Sequence, residues 1–407
     1  MRILHLIDPG SVEVGAEALA MIADAIKRLP GYNHDVLIVS SAQWTINARR
    51  IGLKPIGSIS PTNGKPRLAC RALRNIISRN ESVYGKYDLL HAWTLNCASL
   101  ASCAAPDHQI VTGPVFSDPQ DSKLTKQDIK RLNRSAVRVL CATNGIKQEC
   151  ASIGIDKLLL SETPLGIDSD RIAIENRALL RDSWGIDQTT FAVGLLGNTQ
   201  AAINATTLVG QTNRDVRLIV HPDAQLRFQA THWAARQGGD EKINIEKELS
   251  QLWKIAPGLD AAIVTTAHYQ AIDRSLQSNN LLSVLWLLAA GTPVIIESTH
   301  RASTFIHDAE NGLHIPNSDV NAIAQGIMRL IDEPKFAQQI RSNAKKFVAD
   351  QFNAEKLSTN LADIYQQAFR GQRVLINVTD ANVKPPESVK LVANSAGNKS
   401  AILVKSS

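Results

Sequence analysis

Four histidine and arginine side chains lie in or directly after short apolar runs that have the composition of buried β-strands. His91 lies within one such run, His221 follows a second, and His300 and Arg301 follow a third. Ligands of open parallel sheets bind beyond the carboxyl ends of the strands, where such side chains could contact an anionic group or a substrate hydroxyl. The alternatives are a core histidine donating to a backbone carbonyl for His91, and ordinary surface-loop residues for the others.

The apolar runs alternate with segments that repeat apolar residues every three or four positions. This alternation predicts strands joined by amphipathic helices, and therefore parallel pairing in doubly wound sheets. The predicted strands are residues 2–7, 35–40, 89–92, 109–112, 138–142, 191–195, 217–220, 262–265, 294–296 and 313–315. Helices are predicted at residues 16–29, 281–290, 320–332, 335–349 and 354–369. The helix at 281–290 is apolar almost all round, which is typical of a buried helix.

The predicted fold class is α/β, with two Rossmann-like doubly wound domains that face a cleft. The chain of 407 residues is long enough for two domains. The turn-forming residues 164–168 separate the two patterns. We therefore predict domains at residues 1–170 and 171–350, a helix at 351–370 returning to the first domain, and a loose or disordered tail at 371–407.

Composition restricts the compartment and the partners. Five cysteines without C-x-x-C spacing predict reduced, mostly buried thiols in a cytoplasmic protein, rather than a disulfide framework or a zinc site. No run of 18 apolar residues occurs, so no spanning helix is expected. Aromatic residues make up 5% of the chain and no reader motif accompanies its basic residues, so no nucleic-acid partner is expected.

Two basic segments predict a possible peripheral contact with the inner face of an anionic membrane. Residues 65–79 place Arg67, Arg71 and Arg74 on one helical stripe, and residues 123–138 form a second basic cluster. The alternative is that both are solvated helix faces packed on the core. The net charge of +6 suits anionic substrates as well as a membrane surface.

Several short motifs follow one another in a recognisable order. Residues 289–295, AAGTPVI, are similar to A-x-G-x-P-V-V, and residues 311–316, NGLHIP, are similar to N-G-x-L-V-P. Three further segments show a weaker similarity to G-G-A-E, D-V-V-H-x and P-N-G-V-D, at residues 15–17, 88–92 and 164–168 respectively. In order and spacing these motifs resemble those of GT-B glycosyltransferases, family 4 (glycosyl transferases group 1) in particular, over about residues 1–370.

The resemblance implies a nucleotide-sugar donor in the cleft, mainly against the second domain, with the acceptor on the side of the first. The implied donor-binding residues are Gly15, Gly197, Asn198, Thr199, His221, Ser278, Trp286, Gly291 and Thr292. His91 is the acceptor-side candidate. The resemblance implies no bound metal and no cofactor.

Several of these positions depart from the family's pattern. The family's E-x7-E carboxylates fall on Ser278 and Trp286. Its diphosphate-pairing Arg falls on Asn198 and its Lys on Ile203 or Asn204. Each lost charge-assisted contact is typically worth about 1.5–3 kcal/mol. The "V-T-x-H" histidine is also missing, since residues 111–114 read VTGP. The sequence therefore predicts a divergent donor site and identifies no catalytic residue.

Two functions fit this pattern. The first is transfer of a sugar from a nucleotide-sugar donor to a hydroxyl acceptor, with retention. The alternative is a non-catalytic GT-B relative that binds a glycan or a partner protein, because a fold does not fix an activity. A Trp286 indole in the ribose site would argue against ordinary donors, and another carboxylate entering the cleft, for example Glu297, would favour transfer.

Overall fold

The computed structural model describes residues 1–9, 15–60, 66–122, 124–172, 176–196, 199–212, 214–220, 243–245, 251–266, 281–317, 319–370, 389–393 and 399–403. This part of the chain contains two parallel sheets, each built from strands joined by helices. The α/β class and the two doubly wound domains predicted from the sequence are confirmed.

The first domain contains a seven-stranded parallel sheet in the order β3-β2-β1-β4-β5-β6-β7. Its strands are β1 (Arg2–Ile7), β2 (Asn33–Ile38), β3 (Pro55–Ser58), β4 (Leu89–Ala92), β5 (Ile110–Val115), β6 (Ala136–Cys141) and β7 (Leu160–Glu162). Its helices are α1 (Gly15–Lys27), α2 (Ala42–Ile51), α3 (Pro66–Tyr84), α4 (Leu95–Ala104), α5 (Lys126–Ser135) and α6 (Asn144–Ser152). Helices α1 and α2 contact each other, and α4 packs between α3 and α5.

The second domain contains a six-stranded parallel sheet in the order β10-β9-β8-β11-β12-β13. Its strands are β8 (Phe191–Leu196), β9 (Val216–Val220), β10 (Ile243–Ile245), β11 (Ala261–Val264), β12 (Val294–Glu297) and β13 (Leu313–Ile315). The helices that follow the first domain are α7 (Arg177–Ser183), α8 (Thr199–Gly210), α9 (Leu252–Ile255), α10 (Leu281–Ala290), α11 (Val320–Asp332), α12 (Pro334–Gln351) and α13 (Ala354–Phe369).

The predicted strands all occur, with ends within a few residues of their expected places. The sequence pattern missed β3, β7 and β10, which are three or four residues long. A strand this short shows little alternation, so the pattern alone does not separate it from a loop. All three missed strands are edge strands, whereas the equally short edge strand β13 was predicted.

The last long helix packs on the first domain. Helix α13 contacts α1, and the Ser358 hydroxyl donates to Ala25 O at 3.3 Å. The Ile167 N–H donates to Phe352 O, which ties the chain between the domains to the start of this helix. The boundaries at residues 170, 350 and 370 remain predictions.

Helix α10 joins the apolar cores of the two domains. One continuous cluster of buried side chains includes the first sheet and the apolar residues of α10. A second cluster lies between the second sheet and helices α8, α11 and α12. The predicted burial of α10 is confirmed, since nine of its ten residues are buried.

The cysteine prediction was wrong for one pair. Cys70 of α3 and Cys103 of α4 form a disulfide, whereas Cys97, Cys141 and Cys150 are buried free thiols. Because the two helices pack side by side, cysteines 33 residues apart in sequence come together without any short-range motif.

Two segments of the predicted loose tail form strands. Strands β14 (Val389–Ala393) and β15 (Lys399–Leu403) pair antiparallel. Across the described residues, no helix combines the length and the apolar character needed to cross a bilayer.

Candidate functional site between the two domains

Within each sheet the strands are parallel, so residues that follow the strands lie along one edge. Asp8, Trp93 and Phe116 follow β1, β4 and β5, and Thr265 and Ser298 follow β11 and β12. Helices α1 and α10 each follow a strand of these sheets, and the two helices contact each other. Free N–H groups at the first turn of a helix favour anions. The region between these two edges is the candidate site.

Gly15 permits a close approach at the start of α1. A Cβ at this position would lie 2.5 Å from Pro9 O and 2.5 Å from the Trp44 ring. Only glycine fits this packing without displacing the backbone of the preceding loop. Gly15 therefore lies at the predicted loop, but Pro9 and Trp44 fill the space that a side chain at this position would occupy.

Glu17 connects the two domains. Its buried carboxylate accepts the Leu252 N–H at the start of α9 at 3.0 Å. Burial raises its pKa, and the hydrogen bond from Leu252 opposes that increase. A carboxylate in this position fixes the start of α9 against α1, and so links the two domains.

Trp286 lies in the core of the domain interface. Its indole is fully buried and packs on Trp253 with ring centroids 5.2 Å apart. Within the described chain, the indole Nε1–H has no hydrogen-bond acceptor, and neither does the buried hydroxyl of Ser283 one turn earlier. The position to which the resemblance assigns a carboxylate thus holds a bulky indole whose N–H has no acceptor among the described residues.

Glu297 places a carboxylate at the edge formed by the carboxyl ends of the strands of the second sheet. It is the last residue of β12 and is fully buried, and it accepts the Thr266 N–H at 2.7 Å. The Thr266 hydroxyl also bonds to it. Thr266 follows β11, the neighbouring strand, so this contact lies on the edge at which open parallel sheets bind ligands.

Gly291 and Thr292 lie at the opposite edge of the sheet, which corrects their predicted place in the donor site. They stand between the end of α10 and the start of β12, whereas Glu297 ends that strand. Gly291 has φ +76° and closes the helix, as the sequence predicts. The buried Thr292 hydroxyl donates to Ala256 O at 3.0 Å. Both residues therefore stabilise the fold.

Arg301 connects the domains instead of standing free for an anion. Its guanidinium contacts Asp118 at 2.7 Å and Glu149 at 2.6 Å, both in the first domain. The neighbouring His300 is buried, and its Nδ1 accepts the Ala302 N–H at 3.1 Å. The loop after β12 thus carries an interdomain ion-pair cluster.

His91 belongs to the core, as in the alternative interpretation of the sequence. It is fully buried, Nε2 donates to Gly113 O, and the Tyr365 hydroxyl donates to Nδ1. Burial lowers its pKa to about 3. Because both ring nitrogens are occupied, His91 has no atom free for an acceptor.

The remaining predicted donor residues lie mostly outside the described residues. Gly197, Asn198, His221 and Ser278 fall in the undescribed segments. Thr199 is the first residue of α8. In the described part of the chain, no cluster of three or more His, Cys, Asp or Glu could hold a metal ion.

Sequence reasoning did not identify Glu17, Asp118 and Glu149 as residues that join the domains. The signals available were weak, since Glu17 opens a helix and the other two lie in segments without a motif. The sequence analysis named Glu297 as an example of another carboxylate that could enter the cleft, and its place at the end of β12 became visible in the structure.

Residues 282–347 match the family model described as Glycosyl transferases group 1. An alpha-D-kanosaminyltransferase of Streptomyces kanamyceticus is 20% identical over 199 residues, which is 47% of this chain and 49% of that protein. An uncharacterized glycosyltransferase of Methanocaldococcus jannaschii is 28% identical over 81 residues, 20% of this chain and 21% of that protein. The chain thus aligns with half or less of each curated relative.

Solved structures share the fold over nearly their whole length. A glycosyltransferase from Rickettsia africae superposes with a TM-score of 0.71 at 14% identity, covering 91% of this chain and 98% of that one. HepE of Anabaena, in complex with UDP and glucose, gives 0.70 at 14% identity, covering 90% and 100%. A UDP-GlcNAc 2-epimerase from Neisseria meningitidis bound to UDP-GlcNAc gives 0.64 at 8% identity, with coverage of 90% and 100%. At these identities the likeness shows the GT-B fold alone.

Proposed function

We propose that this protein transfers a sugar from a nucleotide-sugar donor to a hydroxyl acceptor, with retention, through a divergent donor site of family 4 type. The GT-B fold and the family match at residues 282–347 support the reaction class. Structural neighbours in complex with UDP-glucose and with UDP-GlcNAc support a nucleotide-sugar donor.

The observation that carries the proposal is the carboxylate of Glu297. The family's two carboxylate positions hold Ser278 and Trp286, so a charge near the transferring sugar has to come from elsewhere. Glu297 ends a central strand of the second sheet, next to Thr266 on the ligand-binding edge. A buried carboxylate is expensive to desolvate, which is a reason to expect that this one has a role at the site.

Binding and turnover of donors test this proposal. UDP-, GDP- and ADP-sugars are added at millimolar concentration to the full chain, and the melting temperature and nucleoside diphosphate release are measured. A donor present at 100 times its Kd stabilises the folded state by about 2.7 kcal/mol. We expect one nucleotide class to raise the melting temperature, and Glu297→Gln to lower diphosphate release at least about tenfold.

Glu310→Gln is the matched control, because Glu310 is an exposed carboxylate of the same domain. Each variant is compared with its own ligand-free melting temperature, so a loss of stability is separated from a loss of binding. The proposal fails if no donor shifts the melting temperature of a cooperatively folded wild-type chain, or if Glu297→Gln releases diphosphate as fast as the control.

A second candidate is a non-catalytic relative that binds a glycan or a partner protein. The buried contact of Trp286 with Trp253 favours it, since the Trp286 indole occupies a position where the resemblance expects an acidic side chain. A wild-type chain that binds glycans but stabilises with no nucleotide-sugar would support this alternative.

A cytoplasmic location is part of the first proposal. The buried free thiols Cys97, Cys141 and Cys150 suit a reducing compartment, whereas the Cys70–Cys103 disulfide suits an oxidising one. Thiol titration of the denatured chain before and after reduction distinguishes the two.

A further inference from the structure

The positive charge of the chain is concentrated on one helical layer of the first domain. Helices α3 and α5 each carry four cations against one carboxylate, and α4 carries no charged residue. The layer thus has a formal charge of +6, equal to that of the whole chain, so all other residues together sum to zero. The cations are Arg67, Arg71, Arg74 and Arg79 of α3 and Lys126, Lys130, Arg131 and Arg134 of α5.

These cations face solvent on both sides of α4. All four arginines of α3 are exposed, and so are Lys126, Lys130 and Arg134 of α5. We call these seven residues the basic face. Because α4 packs against both α3 and α5 and presents no charge between them, the two rows lie on one side of the domain. Leu68, which is 50% exposed, stands among the arginines of α3.

An open groove of about 410 Å³ lies at one side of the basic face. Lys126, Lys130 and Arg134 line it at four-residue spacing, with Ile129 and Ile153 as its apolar part. Asn133 fixes the groove by donating to Gly154 O at 3.0 Å and accepting the Asp156 N–H at 3.1 Å. Its three cations have no acidic partner within the described chain, unlike Arg131, which pairs with Asp128.

We propose that the basic face docks this protein on an anionic phospholipid bilayer, with Lys126, Lys130 and Arg134 contacting headgroup phosphates. Each basic residue near an anionic membrane surface attracts it independently, so a row without internal partners is more effective than the same number of paired cations. Leu68 and the isoleucines of the groove supply apolar contact at the headgroup level. No aromatic residue on which nucleic-acid bases could stack stands between Arg67 and Arg79 of α3 or between Lys126 and Arg134 of α5.

The proposal is tested by co-sedimentation of the full chain with vesicles of phosphatidylcholine alone and of phosphatidylcholine with phosphatidylglycerol. We expect binding to the anionic vesicles that weakens between 50 and 500 mM salt, as screening requires. Lys126→Glu with Lys130→Glu should lower the partition coefficient at least about tenfold. Donor-induced thermal shifts measure the cleft separately, so this surface and the proposed reaction can fail independently.

Lys335→Glu with Lys346→Glu is the matched control, because these are exposed lysines of α12 in the second domain. It makes the same change in net charge and should bind anionic vesicles nearly as well as the wild type. The docking proposal is overturned if both double variants lose binding equally, or if the folded wild-type protein does not bind anionic vesicles at 50 mM salt. Binding to a homopolymeric RNA but not to vesicles would also overturn it.

Discussion

At the scale of single residues, hydrogen bonds fix His5, His34 and His91 of the first domain in neutral tautomers. His34 Nε2 lies 2.9 Å from Leu29 O, which can only accept, so His34 Nδ1 accepts from His5 Nε2. His5 Nδ1 in turn accepts the Trp93 Nε1–H at 3.1 Å. Each nitrogen has its role assigned, and none is left to take a further proton.

This chain of histidines makes stability fall in acid. Burial lowers the pKa of His5 and His34, and that of His91 to about 3, all below the ordinary 6.5. The unfolded chain therefore binds more protons below pH 6.5, so the stabilisation is complete above that pH and is lost as pH falls towards 3. Each proton taken up on unfolding contributes up to about 1.4 kcal/mol per pH unit.

His34→Gln isolates this effect. A glutamine can accept from His5 and donate to Leu29 O but does not titrate, so we expect a smaller loss of stability between pH 7 and pH 5 than in the wild type. Urea melts at a series of pH values measure it. Identical pH profiles for the two chains would contradict the assignment.

At the scale of elements, packed helices explain both the disulfide and the burial of Trp286. Helices α3 and α4 bring Cys70 and Cys103 together, and α10 carries Trp286 into the interface between α9 and α1. In each case the role of the residue depends on the helix that packs against it. The spacing of residues in the sequence did not show which helix that is.

The Cys70–Cys103 bond leads to a countable prediction. The denatured chain should show three reactive thiols without a reductant and five after reduction. By the chain-entropy estimate for a loop of this length, Cys103→Ser should lower the free energy of unfolding by about 3–4 kcal/mol. Five thiols in unreduced protein would contradict the bond and agree with the cytoplasmic prediction.

At the scale of the whole molecule, the two domains are held by few polar contacts around a shared apolar core. Glu17 bonds to Leu252, Arg301 pairs with Asp118 and Glu149, and α10 belongs to the same buried cluster as the first sheet. The described domains thus meet through a shared apolar core and these polar contacts.

Arg301→Ala should weaken the contact between the two domains. Two partly exposed ion pairs are together worth about 1–2 kcal/mol, and the effect should shrink at high salt. We expect a lower melting temperature at 50 mM salt and a larger radius of gyration in small-angle scattering. Arg329→Ala is the control, because it removes the exposed ion pair between Arg329 of α11 and Glu333, the residue after that helix. Equal scattering profiles for wild type and Arg301→Ala would contradict the role of the cluster.

The sequence by itself determined the elements and their class. Apolar residues recur every second position in strands and every three or four positions in helices, which indicates the buried face of a segment. Strands such as β1 and β4 and helices such as α10 and α13 were therefore predicted to within a residue or two. Gly291 was assigned to a helix end for the same local reason, since a positive φ favours glycine.

Only the tertiary structure decided which residues meet. It placed His91 against Tyr365, Arg301 between two carboxylates, and Thr292 on the edge of the sheet opposite to Glu297. These outcomes depend on chain direction and on contacts between residues tens to hundreds of positions apart. A motif does not encode such contacts, because the same side chain can be buried, paired or free according to what packs against it.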